Sequence, residues 1–94
     1  MKTLKLKSMP YANAKVRIDD EGIITLISYT TPVAQIANNW LTVGGLYSMT
    51  TRKHIGAFVK EYANTTYQTA KWLYENDHVF NIDTGEIKKW EEVF

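Results

Sequence analysis

The sequence predicts an α+β fold: a small antiparallel sheet of three to five strands, followed by two helices packed on one of its faces and a short C-terminal hairpin. Three observations carry that prediction. Apolar residues alternate with polar ones through much of residues 3–43; from Thr51 the apolar period lengthens to about 3.6; and Gly44-Gly45 punctuates the change. Ninety-four residues make a single domain, 1–94, with room for one modest core and not two.

Taken in order, Thr3–Lys7 turns Leu4 and Leu6 to one face and Thr3, Lys5 and Lys7 to the other. Lys15–Ile18 repeats the pattern, with Val16 and Ile18 inward and Lys15 and Arg17 outward. If these strands share a sheet, Lys5, Lys7, Lys15 and Arg17 form one basic surface. Asp19-Asp20-Glu21-Gly22 is a turn, with Gly22 free to take a positive φ. Ile23–Tyr29 is apolar on both faces and suits a central strand covered on two sides. Pro32 belongs at a strand start or edge because it has no N–H to donate. Val33–Ala37 and Trp40–Val43 then form a hairpin across Asn38-Asn39.

Ile55, Phe58, Val59 and Tyr62 fall at i, i+3, i+4 and i+7, the apolar stripe of a helix over 51–62. A second helix spans 66–75, capped by Thr65 or Thr66. Residues 78–94 hold a hairpin across Asp83-Thr84-Gly85 and a tail with Trp90, Val93 and Phe94. Trp40, Trp72 and most tyrosines are assigned to the core, since a small domain has few other ways to bury area.

Composition excludes several classes. Apolar residues are 45% of the chain and aromatics 13%, which argues against disorder. Without cysteine there is no disulfide framework, thiolate metal site or cysteine nucleophile, and a reducing cytoplasm suits the chain. The start at Met1–Leu6 is too short and too charged for a secretory signal, and no run reaches the 18 or so apolar residues of a membrane span. The expected setting is therefore cytoplasmic, without a membrane partner, as a monomer or small homo-oligomer. Net charge is +1 but uneven. Residues 1–60 carry eight basic and three acidic side chains, and residues 61–94 three basic and seven acidic ones, a polarity that steers the chain towards charged partners or towards head-to-tail self-contact.

Catalytic and cofactor motifs are sparse. Asp83-Thr84-Gly85 matches the aspartic-protease tripeptide, but that chemistry needs two carboxylates sharing a proton, and a single copy fits a tight turn. Neither GxGxxG nor GxxxxGK[ST] occurs, so no nucleotide cofactor is expected. His54 and His78 lack the i, i+4 ligand spacing of a metal site. The expectation is no cofactor, no metal and no enzymatic activity. Tyr11, Tyr47, Trp72 and Trp90 remain as candidates for stacking on single-stranded nucleic acid.

The candidate binding site is the helix start. Ser48, Thr50 and Thr51 are suited to capping, whereas Arg52 and Lys53 oppose the partial positive charge at a helix N-terminus. His54 completes the cluster. Cations placed where the helix disfavours them point to an anionic partner. Lys5, Lys7, Lys15 and Arg17 would extend the surface.

The run Ser28-Tyr29-Thr30-Thr31-Pro32-Val33-Ala34 and the later Tyr47-Ser48-Met49-Thr50-Thr51-Arg52-Lys53-His54-Ile55 resemble a family of small proteins of bacteriophages, prophages and plasmids of Gram-positive bacteria. That family shows SY-x-T-x-VA before YS-x-TT-x-KHI, over roughly residues 23–87. The resemblance implies a mobile-element origin and no particular activity. It leads to the expectation of a non-enzymatic, phage-type binding protein that inhibits or redirects a host macromolecular machine, as anti-defence and anti-CRISPR inhibitors do. Its partner would be a host or phage protein or nucleoprotein complex. The alternative is a DNA- or RNA-binding accessory protein that grips phosphate with the cationic helix start.

Overall fold

The computed structural model describes residues 1–94 as an α+β structure measuring 35 × 30 × 20 Å. Its sheet has seven antiparallel strands in simple chain order, rather than the three to five expected. They are β1 (Lys2–Leu4), β2 (Ala14–Ile18), β3 (Ile24–Ser28), β4 (Thr31–Ala37), β5 (Trp40–Val43), β6 (His78–Asn81) and β7 (Ile87–Lys89). The extra strands are the C-terminal hairpin, which extends the main sheet instead of standing apart from it. Helices α1 (Met49–Tyr62) and α2 (Tyr67–Asn76) carry the chain out and back. That return sets Trp40 opposite Asn81 and Leu41 opposite Phe80. A four-residue helix, α3 (Trp90–Val93), follows β7.

Local chemistry explains the turns. Asp19 Oδ1 accepts from the Glu21 and Ile23 N–H groups, and Gly22 takes φ +82°. Asn38 and Asn39 both adopt positive φ, which lets a two-residue connection follow the strand twist. Leu26 pairs with Ala34 and Ile27 with Pro32, so Val33 is the extra residue of a bulge. The bulge accommodates Pro32, which has no N–H to give the ladder. Asn81 Oδ1 accepts from the Asp83 and Thr84 N–H groups, and Gly85 takes φ +79°, so Asp83-Thr84-Gly85 forms the β6–β7 turn.

β1 is shorter than the alternation predicted. The chain leaves the sheet after Leu4, which is exposed, while Leu6 drops into the core from the following loop and is fully buried. On the inner sheet face Val16, Leu26, Ala34 and Val43 stand in register. They pack with Ile55, Phe58 and Val59 of α1 and with Ala70 and Leu73 of α2 in one cluster. The result is two layers, a sheet with both long helices on one face.

α1 begins two residues before the expected Thr51, because Ser48 is its N-cap and accepts from the Thr51 N–H at 3.1 Å. α2 is capped by Thr66, which accepts from the Thr69 N–H. Trp72, expected in the core, is 45% exposed. It lies beside the buried stripe of α2, against the ring of His78 at 4.9 Å. No helix is long and apolar enough to cross a membrane.

Candidate functional site: the outward face of the first long helix

The cluster selected at the helix start divides between two faces. Thr51 and His54 turn inward and are buried at 4% and 1% exposure, so they do not lie on a surface that a partner could touch. Their hydroxyl and imidazole meet Ser28 at the end of β3. Ser28 Oγ lies 3.0 Å from Thr51 Oγ1 and 2.9 Å from His54 Nδ1. Ser48 Oγ donates in turn to Thr51 Oγ1 at 3.2 Å.

With Ser48 as donor, a consistent chain runs Ser48 to Thr51 to Ser28 to His54 Nδ1. That direction leaves the imidazole proton on Nε2, which is buried without a partner. Burial pushes the His54 pKa below its ordinary value. An uncharged ring is what this site accommodates, since a buried cation near the start of α1 would meet both desolvation and the helix dipole. The network clamps the start of α1 onto the sheet.

Arg52 and Lys53 face outward and are exposed. Arg52 Nε donates to the Leu46 carbonyl at 3.2 Å, an anchor that leaves both terminal guanidinium nitrogens free for a planar oxyanion. The two cations rim a groove of about 540 Å³ along the outer face of α1. Its floor is Gly56 and Ala57, and its walls are Met9 from the β1–β2 loop and Tyr67 from the start of α2. A second depression shares Gly56 and Tyr67 and runs on past Lys60 to Asn64. The two make one strip. From Met49 to Asn64 it is roughly 22 Å long at the helical rise per residue.

Gly56 shapes the floor: a Cβ there would stand 3.4 Å from the Cβ of Tyr67, so the two helices approach closely beneath the groove. The Met9 wall is fixed through Glu61. Its carboxylate accepts from the Lys7 N–H at 2.8 Å, the Ser8 N–H at 3.2 Å and the Ser8 hydroxyl at 2.8 Å. Partial burial works to raise the Glu61 pKa, but these hydrogen bonds and the Lys7 charge outweigh it, and the net shift is downward. The ion pairs of the chain are Met1 with Asp20 and Lys88 with Glu86. Arg52, Lys53 and Lys60 have no acidic partner.

The other predicted cations do not join this strip. Val16 faces the helices, so Lys15 and Arg17 project from the opposite face of the sheet, with the sheet and α1 between them and Arg52. Lys5 and Lys7 lie in the β1–β2 loop, Lys7 where Glu61 holds its backbone. Thr50 is exposed, and Ser48 is engaged as the cap. Strand alternation and loop position thus divide what the sequence grouped as one basic surface. Met9, Ala57, Lys60 and Tyr67 were not anticipated. Lys60 alone carried a signal, since two turns of helix place it with Lys53 and Gly56 opposite the apolar stripe.

No three His, Asp or Glu side chains gather as a metal site. Residues 2–76 match a protein family described as a family of unknown function, DUF8033. No curated protein and no solved structure matches the chain. The matched span ends with α2, so it contains the α1 strip and stops before β6.

Proposed function

The chain belongs to DUF8033, and we propose that it is a non-enzymatic binding protein that engages an acidic segment of a macromolecular partner through the outward face of α1. The observation that carries this reading is the cation-rimmed, apolar-floored groove. Arg52, Lys53 and Lys60 stand along it without acids to neutralise them, and Gly56 and Ala57 let a partner backbone come close. Unpaired charge beside a concave apolar floor favours an amphipathic acidic ligand, with the apolar contact providing affinity and the cations orientation.

The resemblance to small phage, prophage and plasmid proteins supports the wider reading. In it, the partner belongs to a host machine in the cytoplasm, and stoichiometric occupancy inhibits or redirects that machine in the manner of an anti-defence protein. Direct nucleic-acid binding is the weaker alternative. A backbone track would need continuous cations, yet Lys15 and Arg17 lie across the molecule from Arg52, and Ser48 already takes one N–H at the start of α1.

Affinity capture from lysate of a Gram-positive host tests the proposal when run on three forms of the protein. Wild type and Lys15→Glu/Arg17→Glu should retain the same partner, and Arg52→Glu/Lys53→Glu should lose it. Retention by all three would overturn the site. Steeply salt-dependent DNA or RNA binding by wild type alone would favour the alternative.

A further inference from the structure

We infer that the groove on α1 also receives the Trp90–Phe94 segment of a second copy of this chain, giving head-to-tail association. The inference rests on the groove described above but not on any foreign partner occupying it.

The acids of the chain narrow the choice of occupant. Asp19 is occupied within its turn, Asp20 pairs with the Met1 ammonium, Glu61 holds the β1–β2 loop and Glu86 pairs with Lys88. Of the remaining acids, only Glu91 and Glu92 are adjacent to each other and flanked by exposed aromatic residues. Trp90 is 49% and Phe94 48% exposed. Their rings stack with centroids 5.7 Å apart at 29°, forming one apolar ridge at i, i+4, with Glu91 at i+1 to one side of it and Glu92 at i+2 on the far side of the turn.

That segment complements the groove in both chemistries. An i, i+4 aromatic ridge is the form in which a helical turn anchors in an apolar groove, and the floor of Gly56 and Ala57 between Met9 and Tyr67 leaves space for it. Glu91, at the edge of the ridge, would face Arg52, whose Nε is already anchored, while Glu92 adds to the negative potential of the segment. Groove and ridge lie on different elements, α1 and α3, so the contact is heterologous. It propagates from copy to copy unless the rotation closes a ring. Each copy that gives its ridge keeps its own groove open, and each filled groove is withheld from a foreign partner. Self-association therefore competes with partner capture.

Sedimentation equilibrium of the full chain at low salt, from micromolar to about 1 mM, the concentration range over which weak contacts populate, tests the inference. Wild type should rise above the 10.8 kDa monomer mass with concentration, and fall back at about 1 M salt, where screening reaches to within 3 Å. Glu91→Lys/Glu92→Lys and Arg52→Glu/Lys53→Glu should each stay monomeric. The variant carrying all four changes should regain association, because the charges are exchanged rather than lost. Regain also shows that the substituted chains still fold. A wild type that remains monomeric throughout, or a Glu91→Lys/Glu92→Lys form that associates like wild type, would overturn the inference. Neither result would bear on capture of a host protein by the groove, which is read separately from lysate.

Discussion

Ser28 Oγ on β3 lies 2.9 Å from His54 Nδ1 on α1, and through this bond the sheet holds the helix that presents the unpaired cations. Ser28→Ala removes the shared partner of Thr51 and His54 and should cost about 1–3 kcal/mol, the range for leaving buried polar groups unsatisfied. Denaturant unfolding measures the loss, and an unchanged midpoint would show that the network does not clamp α1.

Burial of the same imidazole makes stability depend on pH. The unfolded chain protonates His54 near 6.5, whereas the folded chain, its pKa lowered by burial, does so only at lower pH. In the window between, the unfolded state binds more protons. The stability associated with a neutral His54 is therefore fully present above about 6.5 and lost as pH falls below it. In His54→Gln this part of the pH profile should flatten, whatever the plateau stability, as read by thermal unfolding across pH 4.5–8.

Glu61 gives a second, more acidic window. Its folded pKa lies below the ordinary 4.5, so its contribution persists above that value and is lost as pH falls through the folded one. Glu61→Gln should cost about 1–2 kcal/mol, because an amide in place of a carboxylate weakens charge-assisted hydrogen bonds. It should also raise amide exchange at Lys7 and Ser8 before the rest of the chain.

Gly56 separates stability from binding. A methyl group there would meet Tyr67 at 3.4 Å, close to ordinary van der Waals contact, and alanine is the better helix former by up to about 1 kcal/mol. Gly56→Ala should therefore leave stability unchanged or raised. Gly56→Leu, whose side chain would fill the groove, should abolish partner capture. Equal capture by the leucine variant and wild type would place the site elsewhere.

Much of the sheet was legible because its signals are local: β2 alternates, β3 is a short apolar run, and Asn38-Asn39 marks the hairpin of β4 and β5. The membership of β6 was not, since Trp40 finds Asn81 only after α1 and α2 have returned the chain. At the helix start, three hydroxyls, those of Ser48, Thr50 and Thr51, competed for the cap. Thr51 precedes Ile55, Phe58 and Tyr62 at i+4, i+7 and i+11, a position on the apolar stripe that marks it as inward and leaves the cap to Ser48. The cations of the site were visible as misplaced charges. The groove was not, because Met9 and Tyr67 reach it through tertiary packing that no spacing encodes.

Asp83 supplies a control. The β6–β7 turn is held by Asn81 Oδ1 and by Gly85 at positive φ, so Asp83→Asn should change stability by no more than about 0.5 kcal/mol, as surface substitutions do. Partner capture should be unaffected. A lost activity would instead call for carboxylate chemistry at this turn.

Photo-crosslinking in host cells, with a benzophenone side chain placed either at Ala57 in the groove floor or at Gln35 on the opposite sheet face, decides whether a partner docks on α1. Position 57 should give one discrete adduct with a host protein, lost on adding Arg52→Glu/Lys53→Glu, and position 35 should give none. An adduct from position 35 alone, or one from position 57 that survives the charge reversal, would contradict docking on α1.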